Sequence, residues 1–256
     1  MLRMQKKEIC WNSCSDAGDY RAENEDAIFA ASSRWRGHRV ALFAVADGCG
    51  GMQNGAAASA IAIDNVSCFW QHSIPLLACK WLRQTIAVED ALERMMQCAH
   101  TQVCSLSKSE AVHPASTLTV LLILDDCFWI RHVGDSRVYR LSESQYKLER
   151  LTEDQSMVED MLRNREIEPW EASDYSRSIL SMCLGISNSL HTYSNKGRMR
   201  KGDVFLLCSD GFHAYVDEEN ISHLLRWNPS DVAALRELIP AGQAGDNVSL
   251  ITAWEE

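Results

Sequence analysis

The chain has 256 residues, a net charge of −10 at pH 7 and a hydrophobic content of 46%. This length suits one large domain or two small ones with a proper core. The negative charge, with no run of Lys or Arg, argues against a nucleic-acid-binding surface. The longest apolar run, 118–124, is too short to cross a bilayer, and the polar start at 1–8 resembles no signal peptide. We therefore expect a cytoplasmic protein without a membrane partner.

The ten cysteines are spread along the chain, and no two of them are spaced as Cys-x-x-Cys. Most lie inside apolar runs, as Cys68, Cys127 and Cys208 do. This placement favours buried free thiols in a reducing compartment over disulfides or zinc ligands.

Hydrophobic periodicity predicts strands and helices in an α/β order. The predicted strands are 8–15, 27–31, 40–46, 117–124, 127–133, 137–141, 146–151, 204–208 and 248–254. The predicted helices are about 56–70, 88–106, 217–226 and 230–239, with 152–178 helical in part. Turn signals lie at 32–38 and 125–126, and Gly50, Gly51 and Gly55 predict a flexible loop. Strands that flank blocks of helix indicate one α/β sandwich with mixed or antiparallel sheets.

Acidic residues stand at the ends of four of these strands. Any one of them could be an ordinary turn former, since Asp-Gly and Asp-Asn are common in turns. Four such positions favour convergence on a cation, because carboxylates packed together without one would repel each other. These residues are Glu25, Asp26, Asp47, Asp210 and Asp246.

Seven short motifs follow one another between residues 15 and 253. They are Ser15-Asp16-x-Gly18-x-x-Arg21-x-x-Asn24-Glu25-Asp26, Ala46-Asp47-Gly48-x-Gly50-Gly51, Ser116-Thr117-Leu118, Val133-Gly134-Asp135-Ser136-Arg137-x-Tyr139, Leu151-Thr152-x-Asp154, Ser209-Asp210-Gly211 and Gly245-Asp246-Asn247-x-Ser249. In this order the motifs resemble those of the metal-dependent protein phosphatases, the PPM or type 2C family, in its compact bacterial form.

The resemblance implies a fold and a metal centre. The fold is an αββα sandwich, in which two antiparallel sheets face each other with helices outside. It spans 1–256 as a single domain, with a flap at about 152–178 beside the site. The centre would hold two Mn²⁺ or Mg²⁺ ions at one edge of the sandwich, and a third ion in bacterial members. Hard cations of this kind prefer oxygen ligands.

The resemblance also implies residue roles. The metal residues include Asp26. Asp47 bridges two ions, Gly48 offers its carbonyl to one of them, and Asp210 and Asp246 hold the other. Asp135, with Asp210, matches the position of the third ion. Among the catalytic residues, Glu25 binds metal through water, Asp26 orients the attacking water on the metal, and Arg21 grips the phosphate.

Taken alone, several of these residues have structural alternatives. Arg21 could form a surface salt bridge, and Glu25 could lie on a solvated face. Asp135 could brace the turn at Gly134 or pair with Arg137. Asp154 is expected to cap the following helix by accepting backbone N–H bonds, not to bind metal.

The sequence also departs from the family pattern at two places. Cys49 stands where some members carry a His that protonates the leaving group, and residues 173–177 lack a His found in many members.

The predicted function is metal-dependent hydrolysis of phosphoserine and phosphothreonine in proteins by a metal-activated water. The expected partners are phosphorylated protein substrates and a cognate Ser/Thr kinase, and we expect a monomer. Two alternatives stay open at this point. One is a phosphohydrolase of small phosphate esters, and the other is a non-catalytic regulator that binds phosphoproteins.

Overall fold

The structure is a computed structural model that describes residues 8–49, 53–80, 85–106, 113–143, 147–172, 179–186 and 189–256. The predicted loop glycines Gly50 and Gly51, and the end of the flap at 173–178, lie outside the described residues. Within the described ranges, no helix is both long and apolar enough to cross a membrane.

Twelve strands are described, numbered in chain order. They are β1 (Ile9–Asp16), β2 (Ala27–Trp35), β3 (His38–Ala46), β4 (Gly48–Cys49), β5 (Ala115–Ser116), β6 (Leu118–Leu124), β7 (Cys127–Val133), β8 (Arg137–Ser142), β9 (Lys147–Arg150), β10 (Tyr193–Arg198), β11 (Val204–Cys208) and β12 (Val248–Glu255). The first sheet has the order β1-β12-β11-β8-β9, and the second has the order β10-β7-β6-β3-β2. All of these pairs are antiparallel, and β4 pairs with β5 as a separate ribbon.

The helices lie in chain order between and after the strands. They are α1 (Gln53–His72), α2 (Ile74–Lys80), α3 (Thr85–Ser105), α4 (Met157–Arg163), α5 (Asp210–His213), α6 (Glu218–Trp227) and α7 (Val232–Arg236), with a 3-10 turn at Pro169–Glu171.

The alternation of side chains along β3 explains the layers. Residues such as Phe43 point between the sheets, where they join Phe205 and Leu207 of the other sheet in one buried cluster. The alternate residues, such as Leu42, join a second cluster with residues of α1 and α3. A third cluster joins the outer face of the first sheet to α6 and α7. Successive side chains of a strand face opposite ways, so one strand serves two cores. The predicted αββα sandwich is confirmed.

Some element boundaries differ from the prediction. Strand β2 continues to Trp35, so the turn is confined to Arg36 and Gly37, both with positive φ. Helix α1 begins at Gln53, so Gly55 is helical and the prediction that it belongs to a flexible loop is wrong. Strand β10 and helix α2 were not predicted. The sequence of β10, Tyr-Ser-Asn-Lys-Gly-Arg, is polar, and this edge strand is half-exposed along its length, so it carries little hydrophobic signal.

The cysteines fit the prediction in part. The nine described cysteines are free thiols. Cys208 is buried as expected, but Cys68 is exposed and Cys127 is half-buried, so the expected burial is wrong for these two. Cys68 lies on the exposed side of α1. Its place in a short apolar run of the sequence therefore does not indicate burial.

Candidate metal centre

The antiparallel pairing brings the predicted acidic residues to one end of the sandwich. Ala27 lies opposite Ala46, so Asp26 and Asp47 are neighbours at the end of β2 and β3. In the other sheet Cys208 lies opposite Leu250, which places Asp210 and Asp246 at matching strand ends. Asp135 lies in the connection from β7 in the second sheet to β8 in the first. The predicted acidic residues therefore lie at one end of the sandwich, and the binding of a cation there stays a prediction.

Several oxygens of this acidic end are buried without a hydrogen-bond partner. They include both carboxylate oxygens of Asp26, which is 8% exposed, together with Oε1 of Glu25 and Oδ1 of Asp210. A buried polar atom without a partner is costly, and a native structure normally supplies one. The burial of Glu25 contradicts the alternative in which it lies on a solvated face.

Burial raises the pKa of Glu25, Asp26 and Asp210 above its usual range. For Asp26 the pKa reaches about 7, although the hydroxyls of Ser249 and Ser209 lie close enough to pull it part of the way back. The pKa of Asp47 is raised by burial and then by the charges of Asp210 and Asp26.

The pKa values of Asp135 and Asp210 are also raised, first by burial. The carboxyl groups of Asp47 and Asp210 are close enough to share a hydrogen bond. The acidic end thus brings together carboxyl groups whose charged forms its own residues stabilise only in part.

Arg21 lies at the open side of this end. Its guanidinium donates to Oδ2 of Asp246 at 2.7 Å, and its side chain is 49% exposed. The salt-bridge alternative for Arg21 is therefore realised, but its partner is one of the predicted metal ligands. Arg21 also lowers the pKa of Glu25, against the burial that raises it.

The backbone of Asp47 is held by the ribbon strand β5 and the residue after it. The amide of Thr117 donates to the Asp47 carbonyl at 2.8 Å, and the Asp47 amide donates to Thr117 Oγ1 at 2.9 Å. Ser116 Oγ donates to the same carbonyl at 3.0 Å, and Thr117 Oγ1 bonds Ser136 Oγ at 2.9 Å. The sequence motif contained these hydroxyl residues, but no role was assigned to them.

Asn247 ties three segments of the site together. Its Oδ1 accepts from the Glu25 amide at 2.8 Å, and its Nδ2 donates to the carbonyls of Ala17 and Glu23, both at 3.0 Å. Gly18 lets the loop pass close by, because a Cβ on it would lie 2.1 Å from the Asp246 carbonyl oxygen and its φ is +71°. The side-chain amide thereby fixes the backbone on which Glu25 and Asp26 are placed.

Arg137 and Asp154 form a buried ion pair beside the site. Arg137 Nε donates to Asp154 Oδ1 at 3.0 Å, and its Nη2 donates to Oδ2 at 2.6 Å. Burial would raise the pKa of Asp154, but the hydrogen bonds and the charge of Arg137, with a smaller contribution from Arg150, together lower it. Arg137 therefore pairs with Asp154 and not with Asp135. The prediction that Asp154 caps a helix is wrong, since Ser156 caps α4 by accepting from the Glu159 amide.

His213 was not singled out from the sequence. Its Nε2 donates to the carbonyl of Asp135 at 3.0 Å, and burial lowers its pKa to about 3, so it is neutral. It lies at the end of α5, the short helix that begins at Asp210, and it links the Asp210 and Asp135 segments.

The donor set suits hard divalent cations. The free oxygens are carboxylates, which Mg²⁺ and Mn²⁺ prefer. Among the described residues, no three His, Cys, Asp or Glu side chains already lie close enough together to hold a metal ion. Mg²⁺ is commonly bound through one or two carboxylates and several waters, so a closed set of three is not needed.

Comparison with known proteins identifies the family. The family profile described as Protein phosphatase 2C matches residues 20–231. The Serine/threonine phosphatase stp of Listeria monocytogenes is 30% identical over 217 residues, which cover 83% of this chain and 81% of that protein. The Serine/threonine protein phosphatase PstP of Mycobacterium tuberculosis is 28% identical over 246 residues, which cover 93% of this chain and 43% of that protein.

Solved structures agree. The crystal structure of the Mycobacterium tuberculosis phosphatase PstP/Ppp superposes with a TM-score of 0.80 at 26% identity, covering 96% of this chain and 97% of that one. The PstP catalytic domain in complex with two manganese ions superposes with a TM-score of 0.78 at 25% identity. The match covers 97% of this chain and 99% of that one. This chain belongs to the protein phosphatase 2C family. It is a PPM-type serine/threonine protein phosphatase, and it depends on metal.

Proposed function

We propose that the acidic end holds two Mn²⁺ or Mg²⁺ ions and is the catalytic centre of this phosphatase. The ligands are Asp47, the Gly48 carbonyl, Asp210 and Asp246, with Asp26 and Glu25 acting beside them. Asp135 and Asp210 would share a third ion. The observation that carries the proposal is the set of buried oxygens without partners on Asp26, Glu25 and Asp210.

Ions bound here supply Lewis-acid chemistry, lowering the pKa of water and neutralising charge on the phosphoryl group. The chain's own residues do the rest. Both oxygens of Asp26 are free to orient an attacking water and to hold its proton. Arg21 reaches over the open side, where it exchanges Asp246 for a phosphate oxygen, and its forked, permanent charge suits that task.

The proposed substrates are phosphoserine and phosphothreonine in proteins, and the proposed partner is a cognate Ser/Thr kinase of a bacterial signalling system. The whole chain would act as a single monomeric domain in the cytoplasm. Residues 152–178 would form a flap that contacts protein around the phosphate. Within this segment Arg163 and Arg165 are exposed, as expected.

The test compares substrates and metals on the full chain. Hydrolysis of an aryl phosphate should require Mn²⁺ or Mg²⁺, stop in EDTA and return with Mn²⁺. A phosphoserine peptide should be hydrolysed in preference to nucleotides and sugar phosphates. Full activity after EDTA and dialysis would contradict the metal centre. A preference for the small esters would contradict the proposed substrate class while leaving the centre intact.

A further inference from the structure

An exposed aromatic side chain stands beside Arg21 at the open side of the acidic end. Tyr20, the residue before Arg21, is 71% exposed. Its hydroxyl donates to the carbonyl of Gly242 at 2.7 Å. The polar tip of this side chain is therefore bonded, while most of its surface lies open to solvent.

The segment 242–246 that accepts this bond is also held by the two residues on either side of the tyrosine. The amide of Asp19 donates to the Ala244 carbonyl at 2.9 Å, and the Ala244 amide donates back to Asp19 Oδ2 at 2.9 Å. Arg21 donates to the carboxylate of Asp246 at 2.7 Å. Three successive residues thus bind the same segment, and their bonds fix where the exposed ring lies relative to the guanidinium and the acidic end.

A ring held in this way is suited to contact with a substrate. Tyrosine has a large apolar face and few rotatable bonds, so it offers contact area at a small cost in conformational entropy. For this reason tyrosine is enriched where proteins meet other molecules. Consecutive residues of a peptide chain are only about 3.8 Å apart at their Cα atoms. When Arg21 holds the phosphate of a phosphoserine, the residues next to that phosphoserine therefore pass close to Tyr20.

We propose that Tyr20 is a specificity-determining residue, whose ring binds an apolar side chain next to the phosphorylated residue of a protein substrate. The inference rests on the proposed function, because it takes Arg21 as the residue that holds the phosphate. A second aromatic side chain is the rival for this role. Tyr215 is 44% exposed and abuts the same segment, since a Cβ on Gly245 would lie 2.4 Å from its hydroxyl oxygen. The experiment therefore has to distinguish the two tyrosines.

The test measures kcat/KM of the full chain at saturating Mn²⁺ for two phosphoserine peptides. The peptides are identical except that both neighbours of the phosphoserine are Leu in one and Ala in the other. The wild type should prefer the Leu peptide by about threefold or more, since the larger side chains bury more apolar surface. Tyr20→Ala should remove this preference, whereas Tyr20→Phe, which keeps the ring, should retain most of it. The ratio of the two kcat/KM values does not depend on the fraction of folded or metal-loaded protein, so it stays informative even if a variant is partly unfolded.

Two control variants change other exposed rings. Trp35→Ala removes a ring that is 41% exposed at the end of β2 opposite to Asp26, and it should keep the preference for the Leu peptide. Tyr215→Ala removes the rival ring and should keep the preference as well.

Three results would overturn the proposal. The first is a wild type without the preference, or an unchanged preference in Tyr20→Ala. The second is loss of the preference in Tyr215→Ala instead. The third is an equal loss in Tyr20→Phe and Tyr20→Ala, which would leave Tyr20 only as an anchor of the segment 242–246.

Hydrolysis of an aryl phosphate in the same preparation separates failure of this inference from failure of the proposed function. A wild type that hydrolyses the aryl phosphate and both peptides without preference refutes the role of Tyr20 alone. A wild type that hydrolyses none of the three with Mn²⁺ refutes the proposed function, and the role of Tyr20 falls with it.

Discussion

Asp26 and Asp154 are buried to almost the same degree, yet their surroundings are opposite. Asp26 is 8% exposed and no described basic side chain pairs with it, whereas Asp154 is 6% exposed and binds Arg137 through both oxygens. Burial raises the pKa of Asp26 to about 7, while Arg137 holds the pKa of Asp154 below its usual range. A buried charge needs a partner. Where the chain supplies the partner the acid is structural, and where it does not, we infer that a cation comes from outside.

The largest expected effect is on catalysis at the unpaired end. Asp47→Asn should lower kcat/KM for an aryl phosphate by about a thousandfold or more, equivalent to roughly 4 kcal/mol, because a bridging ligand is lost. Steady-state kinetics at saturating Mn²⁺ measure the effect. Asp64→Asn, which changes an exposed carboxylate on α1, is the matched control and should be neutral. Activity within threefold of wild type in Asp47→Asn would remove that residue from the centre.

The second prediction concerns stability and contrasts the two acids. Asp154→Asn should lower the free energy of unfolding by about 3–5 kcal/mol, because it leaves the Arg137 charge buried without its partner. Asp26→Asn measured in EDTA should lower it little or raise it, since it removes a negative charge that has no partner there. Chemical denaturation checks both. A similar loss in the two variants would erase the distinction between the sites.

A control for this contrast is an exposed ion pair. Arg163 and Asp160 lie 3.0 Å apart, but their side chains are 53% and 38% exposed. Asp160→Asn should therefore cost no more than about 0.5 kcal/mol.

The third prediction concerns His132, a buried histidine of β7. His132 Nε2 donates to the Glu153 carbonyl at 3.1 Å, so its Nδ1, 2.8 Å from Thr119 Oγ1, accepts, and burial lowers its pKa to about 4. The unfolded chain takes up a proton on this ring near pH 6.5, so the contribution of His132 to stability should fall as the pH drops from 6.5 towards 4. The loss is about 3 kcal/mol at most.

His132→Gln should flatten this slope even if it lowers stability at pH 8, since it removes the titrating ring. Part of the slope should remain, because His213 also has a lowered pKa. Denaturation curves between pH 4 and pH 8 measure the difference. An identical slope in wild type and variant would show that His132 does not titrate as described.

The fourth prediction concerns Arg21. Arg21→Ala should lower kcat/KM through the lost phosphate contact, with a loss of about 2–4 kcal/mol in transition-state stabilisation. The affinity for Mn²⁺ should change little. Kinetics combined with metal titration separate the two, and Arg21→Lys should recover part of the loss. If kcat/KM stays unchanged, Arg21 is only the surface partner of Asp246.

The sequence predicts the acidic end better than it predicts what surrounds it. Strand patterns locate Asp47 and Asp210 at strand ends because buried strands carry a strong apolar signal. The partner of Arg137 could not be predicted, since Asp135 is close to it in sequence and only the fold brings Asp154, 17 residues away, to the guanidinium. The roles of Asn247 and Thr117 depend on contacts with segments far away in the chain. Strand β10 was missed because its polar residues resemble a loop.

Calorimetric titration of Mn²⁺ into the metal-free chain at pH 7.5 tests the central claim most directly. We predict binding of at least two ions per wild-type chain and loss of at least one of them in Asp47→Asn and in Asp210→Asn. Asp64→Asn should bind as wild type does. No binding by the wild type up to millimolar Mn²⁺, or undiminished binding by both Asp47→Asn and Asp210→Asn, would contradict the account.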